Sequence, residues 1–164
     1  INPDIIGLNE VSGFGENAKN KARFYDQIKV IAKSCGYPYY YFGKAITVDN
    51  SPYGNAIMSK YPINNMKTIM IPDPLIKDEN VLYESRCVIK CNIENINFLI
   101  THIGLAKSEE INAIKTILDL TKEKTILNIC LGTNPQCFDV VVQTNSFYLL
   151  DKIQYGYICT IFRF

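Results

Sequence analysis

Short apolar runs recur along the chain, rich in isoleucine, valine, tyrosine and phenylalanine and bounded by glycine, proline or asparagine. This pattern is typical of β-strands. The runs cover residues 4–8, 37–46, 55–59, 67–71, 86–93, 97–101 and 125–131, with weaker ones at 140–142 and 153–159. Within this series, Glu94-Asn95 predicts the tip of a hairpin between residues 93 and 97.

Two stretches instead repeat apolar residues at helical spacing. Residues 17–35 predict a helix that ends at Gly36. Its apolar stripe is predicted to consist of Phe24, Ile28, Ile31, Ala32 and Cys35. Residues 108–122 predict a second helix with Ser108 as its N-cap and two glutamates in its first turn. The inner stripe of this second helix is predicted to consist of Ile111, Ile114, Leu118 and Thr121.

The order of these elements predicts the fold class. Most successive strands have no helix between them, so they lack the crossovers that parallel strands require. We therefore expect an α+β fold in which mainly antiparallel sheets pack together with helices outside, and not a doubly wound parallel sheet. The 164 residues, 48% apolar and 20% charged, fit a single domain over residues 1–164.

Charge and cysteine usage narrow the class of protein. A net charge of +1 gives no bulk attraction to nucleic acid or to an anionic membrane. The apolar runs are far shorter than a bilayer span, and no leader pattern is visible, although a removed leader stays open. The six cysteines form no CxxC pair, which argues against structural zinc and favours reduced thiols in a cytoplasmic protein.

Two apolar runs stop at a side chain that could carry chemistry, and strand ends are where such groups collect on a rigid scaffold. The run 5–9 stops at Glu10, where a carboxylate is costly unless a cation or several donors meet it. Glu10 is thus a candidate metal ligand, and the alternative is a glutamate in solvent. The chain's one histidine, His102, also follows a strand, and its alternative is a hydrogen-bonded surface residue.

Two further segments are weak signals when each is taken alone. Glu84 and Arg86 open a strand, but they can form a surface ion pair of little energetic weight. Asn134 follows the run 125–131, but an asparagine before a proline is also an ordinary turn.

Taken together and in order, these segments resemble the endonuclease/exonuclease/phosphatase superfamily of DNase I-like, metal-dependent phosphoesterases. The resemblance covers roughly residues 1–135. The matching segments are PDIIGLNEV (3–11), GYPYYYFGKAI (36–46), YGNAIMSKYPI (53–63), ESRCVIKCNI (84–93) and THIGL (101–105). The resemblance implies a four-layer α/β/β/α sandwich of two mainly antiparallel sheets.

The resemblance also implies roles for individual residues. Glu10 would bind Mg²⁺ or Mn²⁺, because one carboxylate completed by waters and substrate phosphate is a normal magnesium shell. His102 would hydrogen-bond the scissile phosphate, and Arg86 with Glu84 would shape the phosphate pocket. Asn134 would orient the nucleophile and hold phosphate. Asn55 is a weaker candidate for substrate binding beside the cleft.

The chain departs from the family pattern at three places. The family's Gly-Asp-Phe-Asn segment is replaced by residues 130–134, which put Gly132 or Thr133 at the position of the catalytic Asp. Losing such a group lowers a rate by about 10²–10⁴. The family's C-terminal Asp-His pair has no histidine to match, and no strand precedes residue 3 to supply its metal-site Asn.

These departures leave the activity open between three alternatives. We expect a divalent-metal-dependent phosphoester hydrolase by family, weak or inactive in this chain. The alternatives are a non-catalytic phosphate-binding module and a truncated remnant incomplete at both ends. A small phosphoester is expected as the ligand rather than nucleic acid, because long duplexes need many phosphate contacts. No membrane partner is expected.

The absent first strand predicts an unpaired strand inside the sandwich, which is a liability for pairing between chains. We expect either a homodimer through this sheet edge or replacement of the lost strand by residues 153–161.

Overall fold

The computed structural model describes residues 3–16, 18–20, 25–77, 80–121, 125–131, 137–143, 146–151 and 159–162. The strands of this part are β1 (Ile5–Ser12), β2 (Tyr39–Val48), β3 (Ser51–Ser59), β4 (Asn64–Met70), β5 (Cys87–Ile93), β6 (Ile96–Ile103), β7 (Thr125–Leu131), β8 (Cys137–Gln143), β9 (Ser146–Asp151) and β10 (Cys159–Phe162). Its helices are α1 (Gln27–Cys35) and α2 (Lys107–Leu120).

The described strands form two sheets, with the orders β10-β1-β3-β2 and β4-β5-β6-β7-β8-β9. Pairing is antiparallel except between β6 and β7, and α2 is the crossover that joins this parallel pair. The prediction of an α+β fold with mainly antiparallel sheets is confirmed. The hairpin tip at Glu94-Asn95 is confirmed as well, since both residues have positive φ and join paired strands.

The two sheets face each other across an apolar core. The buried residues of this core come from both sheets: Ile5, Ile57, Ile63, Ile89, Cys91, Ile93, Phe98 and Ile100. A second cluster joins α1 to the four-stranded sheet through residues such as Ile28, Ala32 and Met58. A third joins α2 to the six-stranded sheet through Ala113 and Ile117. Burial of these apolar faces fixes how the rims of the two sheets meet.

Strand β1 is not an edge, because β10 pairs with it on the side opposite β3. Ile5 lies opposite Phe162, and Leu8 lies opposite Cys159. The structure thus shows the second of the two expected outcomes, in which a C-terminal strand pairs with this side of β1. The described strand covers Cys159–Phe162, and residues 153–158 of the predicted range 153–161 lie outside the described residues. A homodimer stays a prediction.

Helix α1 begins later than the predicted range 17–35. The Asp26 side chain accepts a hydrogen bond from Lys29 N at 3.2 Å and caps the helix there. The segment before it is tied to β1, because Ser12 Oγ donates to Tyr25 O at 2.9 Å. Gly36 ends the helix as predicted, with a φ of 75°.

Only part of the predicted apolar stripe of α1 is confirmed. Ile28 and Ala32 are buried and Ile31 is partly buried. Cys35 is exposed, which is a correction: it occupies the last helical position, where the chain turns away at Gly36. Phe24 lies outside the described residues.

Helix α2 corrects two predictions. Its N-cap is Ala106 and not Ser108, and it ends at Leu120 rather than 122. The predicted inner stripe is wrong, because Ile111, Ile114 and Leu118 are 43%, 49% and 52% exposed. Thr121 is only the C-cap. The buried stripe is instead Glu109, Ala113 and Ile117. The helix sequence has two apolar stripes, and the buried carboxylate of Glu109 selects the one that faces the sheet.

Strand positions were predicted better than strand limits. Residues 125–131 match β7, whereas β1 and β3 are longer than predicted and β9 has no predicted counterpart. Cys87 and Cys91 are buried free thiols, as expected, and burial raises their pKa to about 11 and about 12. Neither helix of the described chain is long and apolar enough to cross a membrane.

Candidate functional site

Glu10 lies where β1 changes its register against β3, at an irregularity between Leu8 and Val11. Its backbone has a φ of 58°, in the left-handed region that non-glycine residues seldom adopt. Bulges of this kind redirect a side chain at the rim of a sheet. The Glu10 side chain accordingly stays 46% exposed, although its strand neighbours are buried.

Arg86 and His102 meet Glu10 from the other sheet. Arg86 immediately precedes β5, and His102 lies near the end of β6. Arg86 Nη1 lies 3.1 Å from His102 Nδ1, and Glu10 Oε1 lies 3.5 Å from the same nitrogen. Arg86 Nη2 also pairs with Glu84 Oε2 at 2.8 Å. The structure therefore brings four of the six predicted site residues into one chain of contacts.

The protonation state of His102 follows from these contacts. Burial first, and then the Arg86 guanidinium, lower the pKa of His102 from 6.5 to about 4. The ring is thus neutral at pH 7, so its contact with Glu10 is not an ion pair. A guanidinium can only donate, so Nδ1 accepts and the proton resides on Nε2. Among the described residues this buried Nε2 has no hydrogen-bond partner.

Asn55 lines the same cleft, and its side chain also joins the two sheets. Its Nδ2 donates to Cys87 O at 2.9 Å, and its side chain is buried. This bond ties β3 to β5 across the two sheets. The site cleft is lined by Glu10, Ala45, Ile46, Tyr53, Gly54, Asn55, Ser85, Arg86, Cys87 and His102.

The donor set fits a hard divalent cation with a single protein ligand. Glu84 balances the charge of Arg86, whereas Glu10 has no lysine or arginine within ion-pair distance in the described part of the chain. Its exposed carboxylate is the oxygen ligand that Mg²⁺ or Mn²⁺ prefers. No group of three histidine, cysteine, aspartate or glutamate side chains gathers among the described residues, so waters and a ligand would complete the shell.

One predicted site residue cannot be placed, and one residue beside the cluster was not predicted. Asn134 lies outside the described residues, as do Gly132 and Thr133. Glu109 was not predicted as part of the site, yet its buried carboxylate accepts a hydrogen bond from Glu84 N at 3.1 Å. Its place in the first turn of α2 was visible in the sequence, but its burial was not.

Two facing, mainly antiparallel sheets with a polar cleft at their rims give the chain a partial DNase I-like α+β fold. The chain is similar to an endonuclease/exonuclease/phosphatase family protein from Leptotrichia buccalis C-1013-b, with a TM-score of 0.54 and 19% sequence identity. The match covers 77% of this chain and 54% of that chain, so this chain spans about half the neighbour's length. At this identity the likeness concerns the fold alone. No family model matches the sequence, and no curated protein matches it.

Proposed function

We propose that the cleft at Glu10, Arg86 and His102 binds a phosphoester together with a divalent cation and hydrolyses it slowly. The observation that carries this proposal is the convergence of Glu10 and Arg86 on one histidine nitrogen, at 3.5 and 3.1 Å, from two different sheets. A complete four-layer DNase I-like sandwich is part of the same proposal.

Each residue has a role that follows from its chemistry. Arg86 supplies positive charge to a phosphate oxygen, and Glu84 fixes the orientation of its guanidinium. His102 is neutral and its Nε2–H is the donor that a phosphoryl oxygen would satisfy. Glu10 would hold Mg²⁺ or Mn²⁺, which when bound supplies Lewis-acid stabilisation of the phosphoryl oxygens. The neutral charge balance favours a small phosphoester over a long nucleic-acid duplex.

Hydrolysis is proposed to be slow because the sequence departs from the family pattern at the position of the general base. Gly132 and Thr133 stand at the position where the family pattern requires a carboxylate, and neither side chain can accept a proton at neutral pH. His102 is engaged by Arg86 through its acceptor nitrogen, so it acts as a donor. A non-catalytic phosphate-binding module is the second candidate, and the same missing base favours it.

The test measures Mg²⁺- and Mn²⁺-dependent hydrolysis of bis(p-nitrophenyl) phosphate and p-nitrophenyl phosphate by wild type, Glu10→Ala and Glu94→Ala. Glu94 is a matched control, because it is an exposed glutamate with a φ of 50° at a hairpin tip. We expect slow hydrolysis that Glu10→Ala abolishes and Glu94→Ala retains. Thermal stabilisation by Mg²⁺ and phosphate without turnover would support the binding module. If the protein shows neither turnover nor stabilisation, both candidates are contradicted and the truncated remnant is what is left.

A further inference from the structure

Glu109 is a buried carboxylate that lies outside the site cleft. Its residue is 5% exposed, and a charge at such a position is costly unless several donors surround it. In the described part of the chain it has no lysine or arginine within ion-pair distance. Its partners are backbone amides: Glu84 N donates to Oε1 at 3.1 Å and Ala106 N donates to Oε2 at 3.2 Å.

The Glu109 carboxylate packs against Gly104, which has no side chain to displace it. A Cβ atom at Gly104 would lie 2.3 Å from Glu109 Oε2 and 2.4 Å from its Cδ, so a larger residue there would displace the carboxylate. Gly104 comes two residues after His102. One carboxylate therefore contacts the backbone that follows His102 and, through its other oxygen, the backbone that leads to Arg86.

We propose that Glu109 is a positioning residue that sets the contact between Arg86 and His102. It holds the Glu84 amide against the end of β6, and the Glu84 side chain then orients the guanidinium at 2.8 Å. Glu109 touches neither the cleft nor a ligand in it. The inference rests on the proposed function for its purpose, but the geometry it predicts at His102 does not depend on turnover.

A simpler role for Glu109 would be to cap α2 through Ala106 N alone. Loss of a cap weakens a helix but leaves a histidine on a neighbouring strand in place. We call the bond from Glu84 N to the Glu109 carboxylate the brace. Its loss frees the Glu84–Arg86 segment, so His102 Nδ1 loses its donor and the ring is no longer held as the Nε2–H tautomer. The two roles thus differ in what happens at His102.

The experiment uses ¹⁵N NMR of the chain's one histidine at neutral pH, together with titration of inorganic phosphate. The variants are Glu109→Gln and Gly104→Ala, which disturb the same carboxylate from opposite sides. Glu110→Gln is the matched control, because Glu110 is the next residue and pairs at the surface with Lys107. We expect both test variants to shift His102 toward a tautomer mixture and to weaken phosphate binding about tenfold, as for other supporting contacts around a site. The control should do neither.

A folded Glu109→Gln or Gly104→Ala that keeps the wild-type histidine spectrum would overturn the brace and leave a helix cap. If Glu109→Gln is too unstable to measure, Gly104→Ala decides the question alone. If the tautomer changes while wild type binds no phosphate, the brace stands and the proposed function fails.

Discussion

The two sheets contribute to the cleft in opposite ways. The four-stranded sheet presents Glu10, an exposed carboxylate on a left-handed backbone, with a neutral imidazole as its neighbour. The six-stranded sheet presents Arg86 and His102, which are largely buried and held by Glu84 and Glu109. One side of the cleft is thus open and unpaired, whereas the other is packed and internally paired.

This difference indicates that the packed side binds the anion and the open side binds the cation. A buried, fully oriented arginine–histidine pair is preorganised to receive an anion, since its geometry need not change on binding. An exposed carboxylate keeps its water and can exchange it for a cation and a ligand, as magnesium sites with one protein ligand require. Variants of the packed side should therefore alter stability and phosphate binding together. Variants of the open side should alter mainly the response to the cation, with a small effect on stability from the backbone at Glu10.

The largest effect is expected from Arg86→Met. The change removes the donors to His102 and Glu84, and hydrogen bonds to charged groups are worth about 1.5–3 kcal/mol each. We expect a loss of about 3–5 kcal/mol in the free energy of unfolding by urea, and no measurable phosphate binding. Lys67→Met, which removes an exposed cation on β4, serves as the control and should change neither. If Arg86→Met retained the wild-type affinity for phosphate, Arg86 would not be a phosphate-binding residue.

Acid should weaken the packed side through His102. Its pKa is about 4 in the folded protein and ordinarily 6.5, so the unfolded chain binds the proton first as pH falls. The contribution of neutral His102 to the free energy of unfolding is fully present above pH 6.5 and is lost progressively towards pH 4. At about 1.4 kcal/mol per pKa unit it amounts to about 3 kcal/mol. Urea unfolding of metal-free wild type and His102→Gln at several pH values isolates the contribution of His102. If the free energy of unfolding depends on pH equally in the two proteins, the prediction is refuted.

Asn55→Ala should test how the two sides are joined. The variant removes the bond from Asn55 Nδ2 to Cys87 O, although Thr101 Oγ1 still donates to that carbonyl at 3.1 Å. Because the carbonyl keeps one donor, we expect a loss of about 1 kcal/mol. The measurement is again urea unfolding, with weaker cation dependence of phosphate binding as the second readout. A wild-type unfolding midpoint would show that the bond from Asn55 to Cys87 O does not contribute to holding the sheets together.

The smallest effect is expected from Glu10→Gly on the open side. Glycine adopts a φ of 58° without the strain that another residue bears, so Glu10→Gly should be about 1 kcal/mol more stable than Glu10→Ala. Both variants should lose the response to Mg²⁺. The thermal midpoints of the two metal-free proteins give the comparison. An alanine variant as stable as the glycine variant would mean that the backbone at this bulge is relaxed.

The same contrast explains what could be predicted from sequence. Glu10 and His102 were found because each interrupts an apolar run, and a strand end has a definite place on a sheet. The rotation of α2 could not be predicted, because Ile111, Ile114 and Leu118 are as apolar as the stripe that is buried. The buried face carries Glu109, whose carboxylate accepts hydrogen bonds from Ala106 N and from Glu84 N. The bond from Glu84 N spans 25 residues, so the local sequence pattern does not show it.

The bulge at Glu10 was hidden for a related reason. Nothing in the residues Leu8–Val11 signals a left-handed glutamate, since the register shift arises from pairing with β3. In the same way, a C-terminal strand beside β1 was one of the two expected outcomes, but its register depends on pairing with β1. Local pattern located the elements, and pairing between distant strands determined their ends.

The central claim is that Glu10 and the Arg86–His102 pair form one site for a cation and a phosphate. Calorimetric titration of inorganic phosphate with and without Mg²⁺, for wild type, Glu10→Gln and Glu94→Gln, tests it most directly. We predict that Mg²⁺ tightens phosphate binding about tenfold in wild type and Glu94→Gln, a coupling of about 1.4 kcal/mol, and has no effect in Glu10→Gln. Phosphate binding that ignores Mg²⁺ in wild type, or that Mg²⁺ enhances equally in Glu10→Gln, would contradict the claim.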